Sequence, residues 1–215
     1  MITFWKSWDV TEENDAGEAE VSKRFVLRTF TVFNADQTEG LPAKFYGKPE
    51  VPEFTELADA QAVLDGYFAA DGAPKLAHKA GDSAHYTTDG TDTVVLPKRE
   101  QFRSPGAYYA TAFHEAAHST GWMSRLGRDG IVKFDHFGTG QYAREELIAE
   151  MGAAFLSAET GTDPGQLEQS AAYLATWLGA LKDDKKLVVS AAAAAQRAAE
   201  FITSAGAEAG EAEAA

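Results

Sequence analysis

Two segments near the start of the chain carry dense runs of bulky apolar residues. Residues 2–10 (ITFWKSWDV) and 22–34 (SKRFVLRTFTVFN) are rich in aromatic and β-branched side chains, and the acidic stretch TEENDAGEAE with Gly17 lies between them. That pattern predicts two strands joined by a loop. In the second, Phe25, Leu27, Thr29, Thr31 and Phe33 fall on one face, and Val26, Arg28, Phe30 and Val32 on the other. Both faces are largely apolar, so the ribbon is expected to have neighbours on both sides, since a lone hairpin is marginal in water.

Beyond it the period changes. Residues 35–53 hold three of the seven prolines and read as a connector. A helix capped by Thr55 follows, with Leu57, Leu64, Tyr67 and Phe68 at helical spacing, and it ends near Gly72 and Pro74. HYTT, an Asp89-Gly90 turn and DTVVL then predict a hairpin. Ser104-Pro105 supplies an N-cap and a first-turn proline for a helix running to Gly121. A Gly-rich loop (127–140) leads to a second helix, about Gln141 to Ala158, stopped by Gly161 and Pro164. Two more helices are expected, Leu167–Leu181 and about Lys185–Ser204, the latter with an alanine run at 191–195 that favours close packing.

Composition narrows the classes. With no cysteine, disulfide frameworks, iron–sulfur clusters, Cys-ligated zinc and thiol nucleophiles are excluded. Lys and Arg number 19 against 33 Asp and Glu, a net charge of −14 that argues against nucleic acid as the main partner. Apolar runs fall well short of the roughly 18–20 residues of a membrane span. The N-terminus has no signal-peptide pattern, so a cytoplasmic location is expected.

The candidate chemistry lies inside the helix that opens at Ser104. Its His114-Glu115-Ala116-Ala117-His118 run puts two imidazoles on one face, four residues apart, where both can grip one metal ion. Glu115 is rotated off that line and can reach a water on the metal's open side. Zinc suits such a site because it accepts neutral imidazole in a tetrahedral shell and lowers the pKa of its water toward ~7. No third histidine completes the longer H-E-x-x-H-x-x-G-x-x-H pattern, so a carboxylate is the expected third ligand. The following helix offers Glu145, Glu146 and Glu150. Glu146 and Glu150 share a face, with Leu147, Met151 and Ala154 on the neighbouring buried side. Glu146 is assigned to the metal and Glu150 to the outer nitrogen of a ligand histidine, the reverse remaining open. The competing reading is a solvated acidic face. Tyr142 and His85 are candidate oxyanion donors, and Arg144, Tyr86 and His136 are weaker ones by loop position. His78 reads as a surface helix or loop residue, Arg125 and Arg128 as neutralisers of local carboxylates with phosphate binding as the alternative, and Tyr173 and Trp177 as core.

These residues resemble a known family. AHYTTDGTDTVVLPKREQFRSPGAYYATAFHEAAHSTGWMSRLGRD, then QYAREELIAEMGAAFLSAETG, then AAYLATWLGALKDDKKLVVSAAAAAQRAAEFI look like the C-terminal metallopeptidase domain of ArdC-type antirestriction proteins of plasmids and phages. The likeness covers about residues 22–203. It implies an α+β, zincin-like metallopeptidase: a small mainly antiparallel sheet, an HExxH helix, a glutamate helix behind it and C-terminal helices. Residues 1–40 would be a β-ribbon remnant of a single-stranded-DNA-binding domain, most of which this chain begins too late to contain. Residues 41–204 would form the peptidase domain, and 205–215 a disordered Ala/Glu-rich tail.

The resemblance further implies one Zn2+ held by His114, His118 and a glutamate of EELIAE, with Glu115 as general base for peptide hydrolysis. The strand around Thr91–Leu96 would be the sheet edge where an extended peptide adds. The partner is then a protein or peptide substrate, such as a host restriction-defence component, with single-stranded DNA bound weakly or not at all and no membrane. The alternative is an antirestriction or DNA-protecting binding protein on the same scaffold, whose metal is structural or whose proteolysis is dispensable.

Overall fold

The computed structural model describes residues 1–13, 19–42, 45, 53–87, 89–133, 140–163 and 185–213. The chain divides into two compact units, Met1–Glu50 and Val51–Ala215.

In the first unit, β1 (Ile2–Glu13) and β2 (Ala19–Phe30) pair antiparallel in continuous register from Ile2↔Phe30 to Glu13↔Ala19. The strands are the expected ones, each longer toward the turn, but β2 ends at Phe30 rather than at residue 34. Their apolar faces stay open: Trp5 is 59% and Phe25 60% exposed, and the two rings touch across the strands at 5.8 Å.

The second unit begins with α1 (Ala58–Ala69), preceded by Leu57 at its N-cap with no side-chain cap bond, so Thr55 does not take the capping role. Three short strands follow: β3 (Lys75–Lys79), β4 (His85–Thr87) and β5 (Thr93–Pro97). β4 and β5 form the expected hairpin. In its turn, the Asp89 carboxylate accepts from the Thr91 N–H at 3.0 Å and hydroxyl at 2.7 Å, and Gly90 takes φ +91°.

β3 was not anticipated. It pairs parallel with β5, giving a mixed sheet in the order β3-β5-β4. Two expectations change with it. His78 is exposed as expected but lies on a strand rather than a helix or loop, its Nε2 2.9 Å from the Tyr108 hydroxyl. The strand at Thr91–Leu96 is central rather than an edge, because β3 covers its other side. The edge beside the hairpin is β4.

α2 (Pro105–Ser119) starts as its sequence dictates, with Ser104 Oγ accepting from the Ala107 N–H at 3.2 Å and Pro105 in the first turn. After the short α3 (Asp129–Val132) come α4 (Gly140–Glu159) and α5 (Lys185–Glu213). Residues 205–213, expected as a disordered tail, continue α5, in keeping with the high helix propensity of Ala and Glu. The expected helix at Leu167–Leu181, with Tyr173 and Trp177, lies outside the described residues, as does His136. Among the described residues no helix is long and apolar enough to cross a membrane.

The core joins Leu64 and Tyr67 of α1, Val94 and Leu96 of β5, Tyr108, Tyr109 and Phe113 of α2, Leu156 of α4 and Ile202 of α5. α4 sits between α2 and α5. Small residues set its approach: a Cβ on Gly152 would stand 3.1 Å from Ala117 Cβ and 3.8 Å from the Ala195 carbonyl. The inward face of α4 is therefore Leu147, Ile148, Gly152, Ala153 and Leu156, whereas Ala154, expected inside, is exposed. That crossing brings the acidic start of α4 against the second half of α2.

Candidate metal centre

His114 and His118 lie one turn apart on α2, and Glu146 reaches them from the second turn of α4. The two Nε2 atoms are 3.1 Å apart, and the Glu146 carboxylate oxygens stand 3.6 Å from His114 Nε2 and 3.5 Å from His118 Nε2. Among the described residues these three form a group whose donor atoms can hold one metal ion. The spacing admits a test. Zinc bonds of ~2.0–2.1 Å in a tetrahedral shell put neighbouring donors about 3.3–3.4 Å apart. The imidazole pair at 3.1 Å is close to that edge, the Glu146 oxygens approach one ring each, Oε2 at 3.6 Å from His114 and Oε1 at 3.5 Å from His118, and two imidazoles with one carboxylate are a hydrolytic zinc donor set.

Each histidine has a second carboxylate on its other nitrogen. Glu150 lies 3.5 Å from His114 Nδ1, in the outer position expected for it. Glu145 lies 3.4 Å from His118 Nδ1 and is almost completely buried. Glu145 is offered by the sequence with the other two as a candidate ligand but is assigned neither position. The double Glu of EELIAE was the only signal for it, since helical spacing cannot tell which acid will meet which imidazole. Arg128 holds Glu145 through Nη2 at 2.6 Å and Nε at 3.0 Å, which matches the reading of Arg128 as a neutraliser of carboxylates. Arg125 behaves likewise. It pairs with Asp92, which also accepts from the Tyr86 hydroxyl, and its Nε donates to the Ser119 carbonyl at 2.8 Å.

The ion-free electrostatics follow from burial and these neighbours. Burial opposes charge on His118, but hydrogen bonds to Glu145 and Glu146 outweigh it and raise His118 to about 10. Burial and the adjacent positive His118 keep His114 neutral, at about 3. Burial would raise Glu146, yet His118, His114 and a hydrogen bond from Tyr142 bring it down to about 2. A positive His118 and a neutral His114 thus face one another, with 3.1 Å between their Nε2 atoms.

Glu115 stands apart from this set. Buried to 7% exposure, it is pushed up to about 7 by desolvation, while the Tyr86 backbone N–H donates to its carboxylate. That bond ties the general-base candidate to β4. Tyr142, an oxyanion candidate, spends its hydroxyl on Glu146 one turn further along α4. His85 is exposed on β4 and stands outside the His114–His118–Glu146 group. Arg144 is exposed, and the Tyr86 side chain serves Asp92.

Comparison with known proteins gives a consistent relationship. Residues 62–194 match the zincin-like metallopeptidase family. The ArdC antirestriction protein of plasmid R388 in its metal-free crystal structure is 35% identical, with a TM-score of 0.57, over 96% of this chain and 70% of that one. Its Mn(II)-bound structure gives 34% identity and a TM-score of 0.58, over 94% and 69%. A DNA primase TraC of Escherichia coli is 41% identical over 174 residues, which is 80% of this chain and 11% of TraC. The y4eC protein of Sinorhizobium fredii is 32% identical over 206 residues, 94% of this chain and 63% of its own length. The chain therefore spans a small part of TraC and just under two thirds of y4eC.

Proposed function

Because the chain belongs to the zincin-like metallopeptidase family that includes ArdC, we propose that it is a metal-dependent peptidase, with His114, His118 and Glu146 as ligands of a zinc ion and Glu115 as general base. The supporting observation is the convergence of two imidazole nitrogens and one carboxylate at 3.1–3.6 Å, with the buried Glu115 beside them. Zinc is favoured over manganese by the two imidazole donors and by the general affinity order of divalent ions. When bound, the ion supplies Lewis acidity toward the scissile carbonyl and makes water more acidic.

The remaining chemistry belongs to the chain. Glu115, raised to about 7, takes a proton from the attacking water and returns it to the leaving amine. The Tyr86 N–H holds the acid in place between transfers. The substrate lies as an extended strand along the outer edge of β4, and a cavity of about 260 Å³ before the start of that strand, lined by Asp82, Ala84, Pro97, Phe102, Arg103 and Thr111, receives a side chain. Thr111 is one turn before Glu115 on α2, so this cavity adjoins the reacting bond. Kinship with an antirestriction protein points to a host defence protein as substrate, met in the cytoplasm of the cell that carries the gene.

One observation favours a second reading, in which the scaffold protects by binding. The ArdC protein of plasmid R388 holds the fold that this chain resembles both without metal and with Mn(II), at TM-scores of 0.57 and 0.58. Glu115→Gln separates the two readings. Zinc-loaded wild-type protein is expected to cleave proteins in a host lysate, read by mass spectrometry of new termini. The variant is expected to keep its metal and lose roughly 10²–10⁴-fold in rate. Protection from restriction that persists in the variant would move the assignment to binding, and equal cleavage by both proteins would remove Glu115 from the mechanism.

A further inference from the structure

We infer that Arg128 is a positioning residue for the metal centre: by clamping Glu145 it fixes the ring of His118 so that Nε2 faces His114 and Glu146. This rests on reading that group as a metal site.

The guanidinium addresses two helices at once. Toward α4 it makes a forked contact with Glu145, Nη2 to Oε1 at 2.6 Å and Nε to Oε2 at 3.0 Å. Toward α2 it donates through Nη1 to Thr120 Oγ1 at 2.6 Å and through Nη2 to the Ala117 carbonyl at 2.7 Å. Carbonyls in the last turn of a helix lack partners within it, so these bonds anchor Arg128 to the end of α2. Glu145 then offers Oε1 to His118 Nδ1 at 3.4 Å. With Nδ1–H engaged there, the Nε2 lone pair is the one left to a metal ion.

The surroundings leave the clamp no slack. A Cβ at Gly130 would fall 2.8 Å from Glu145 Cβ, and one at Gly121 would fall 2.5 Å from Ile131 Cγ1 and 3.0 Å from Arg128 Nη2. All three side chains are close to fully buried. A lysine could supply the charge but not the fork, because an ammonium cannot hold both carboxylate oxygens and the α2 acceptors in one plane.

The outer partner of His114, Glu150, is 28% exposed, against 4% for Glu145.

The test compares wild type with Arg128→Lys and Glu145→Gln, after circular dichroism has established that each is folded. Metal affinity is read by calorimetric titration with ZnCl2 and with MnCl2. Loss of an outer partner costs about 10–100-fold in affinity, and both variants are expected in that range. The His118 Nδ1–H proton, observed by NMR in the ion-free protein, is expected to be protected from exchange in wild type and to lose that protection in both variants. Wild-type affinity within twofold in a folded Arg128→Lys protein overturns the inference. Should wild type bind neither ion, the metal reading fails separately, and unchanged His118 protection in the variants would still refute the clamp.

Discussion

In the first half of α2, Tyr108, Tyr109, Ala112 and Phe113 pack against Phe54, Phe102 and the core of α1 and β5, with edge-to-face rings 5.0–5.3 Å apart. In the second half, His114 and His118 face Glu145, Glu146 and Glu150, Glu115 is bonded to the Tyr86 backbone, and the last turn is bonded by Arg125 and Arg128. One continuous helix is thus held by apolar burial at one end and by paired charge at the other. Apolar packing tolerates no cavity but carries no chemistry. The polar end carries donors whose pairing can change when a metal ion replaces a proton. The difference suggests that the aromatic half serves as a rigid mount for the half that reacts.

The largest effect is expected from breaking the mount. Phe113 is completely buried and is the residue directly before the first histidine. Phe113→Ala should destabilise the protein by about 3–5 kcal/mol, a fall in Tm of roughly 6–20 °C. It should also weaken metal binding, although no donor is removed. Thermal unfolding with and without ZnCl2 would show both. A variant that loses stability yet binds zinc with wild-type affinity would break the proposed dependence of one half on the other.

Glu146→Gln makes the reverse cut. It keeps the volume but removes the charge that holds His118 protonated, and it replaces a carboxylate donor with an amide. Metal affinity should drop by more than the roughly 10–100-fold expected for an outer partner, while circular dichroism remains that of wild type. Retention of affinity would shift the third ligand to Glu150, the assignment the sequence left open.

The paired-charge half also predicts a pH signature that the aromatic half cannot produce. In the ion-free protein His118 is raised to about 10 and Glu146 lowered to about 2. The raised histidine contributes stability that is complete below its unfolded value near 6.5 and is lost as the pH climbs through 10. The depressed glutamate contributes stability that is complete above about 4.5 and is lost as the pH falls toward 2. Tm of the ion-free protein should therefore decline from pH 6.5 toward 10. Metal binding must displace the Nε2 proton of the charged His118, so its apparent affinity should rise by about tenfold per pH unit over the same range, roughly 1.4 kcal/mol each. A flat affinity profile would mean that His118 is already neutral across that range.

The same division explains what the sequence could reveal. The mount was legible because its signals are local: Ser104-Pro105 starts α2, helical spacing carries the apolar face, and Asp89-Gly90 turns the hairpin. The histidine pair was legible because i and i+4 is a local rule as well. β3 was hidden because KLAHK has neither alternation nor bulk, and its parallel pairing with β5 exists only in three dimensions. Which glutamate meets which imidazole was hidden for a related reason. The helical period places Glu145, Glu146 and Glu150 on α4, but the crossing at Gly152 and Ala117 decides how α4 is aimed. Arg128 and Arg125 could be read as charge neutralisers, but not by which acid each would meet, because those partners are 17 and 33 residues away.

The smallest effect sharpens the comparison from the helix start. Ser104 is exposed, and its hydroxyl serves one backbone donor, the Ala107 N–H at 3.2 Å. Ser104→Ala should cost about 1 kcal/mol, as for an ordinary cap, and lower Tm by roughly 2–4 °C. Pro105 already fixes the entry of the chain, which places the expected loss toward the lower side of that range. His114 lies ten residues on, beyond three turns of buried aromatic packing. If the aromatic half behaves as a rigid mount, fraying at its outer end should not reach the donors, and zinc affinity should stay within twofold of wild type. A larger loss of affinity than of stability would mean that α2 shifts as a rod when its first turn loosens, and the mount would then have to be sought in α4 and α5.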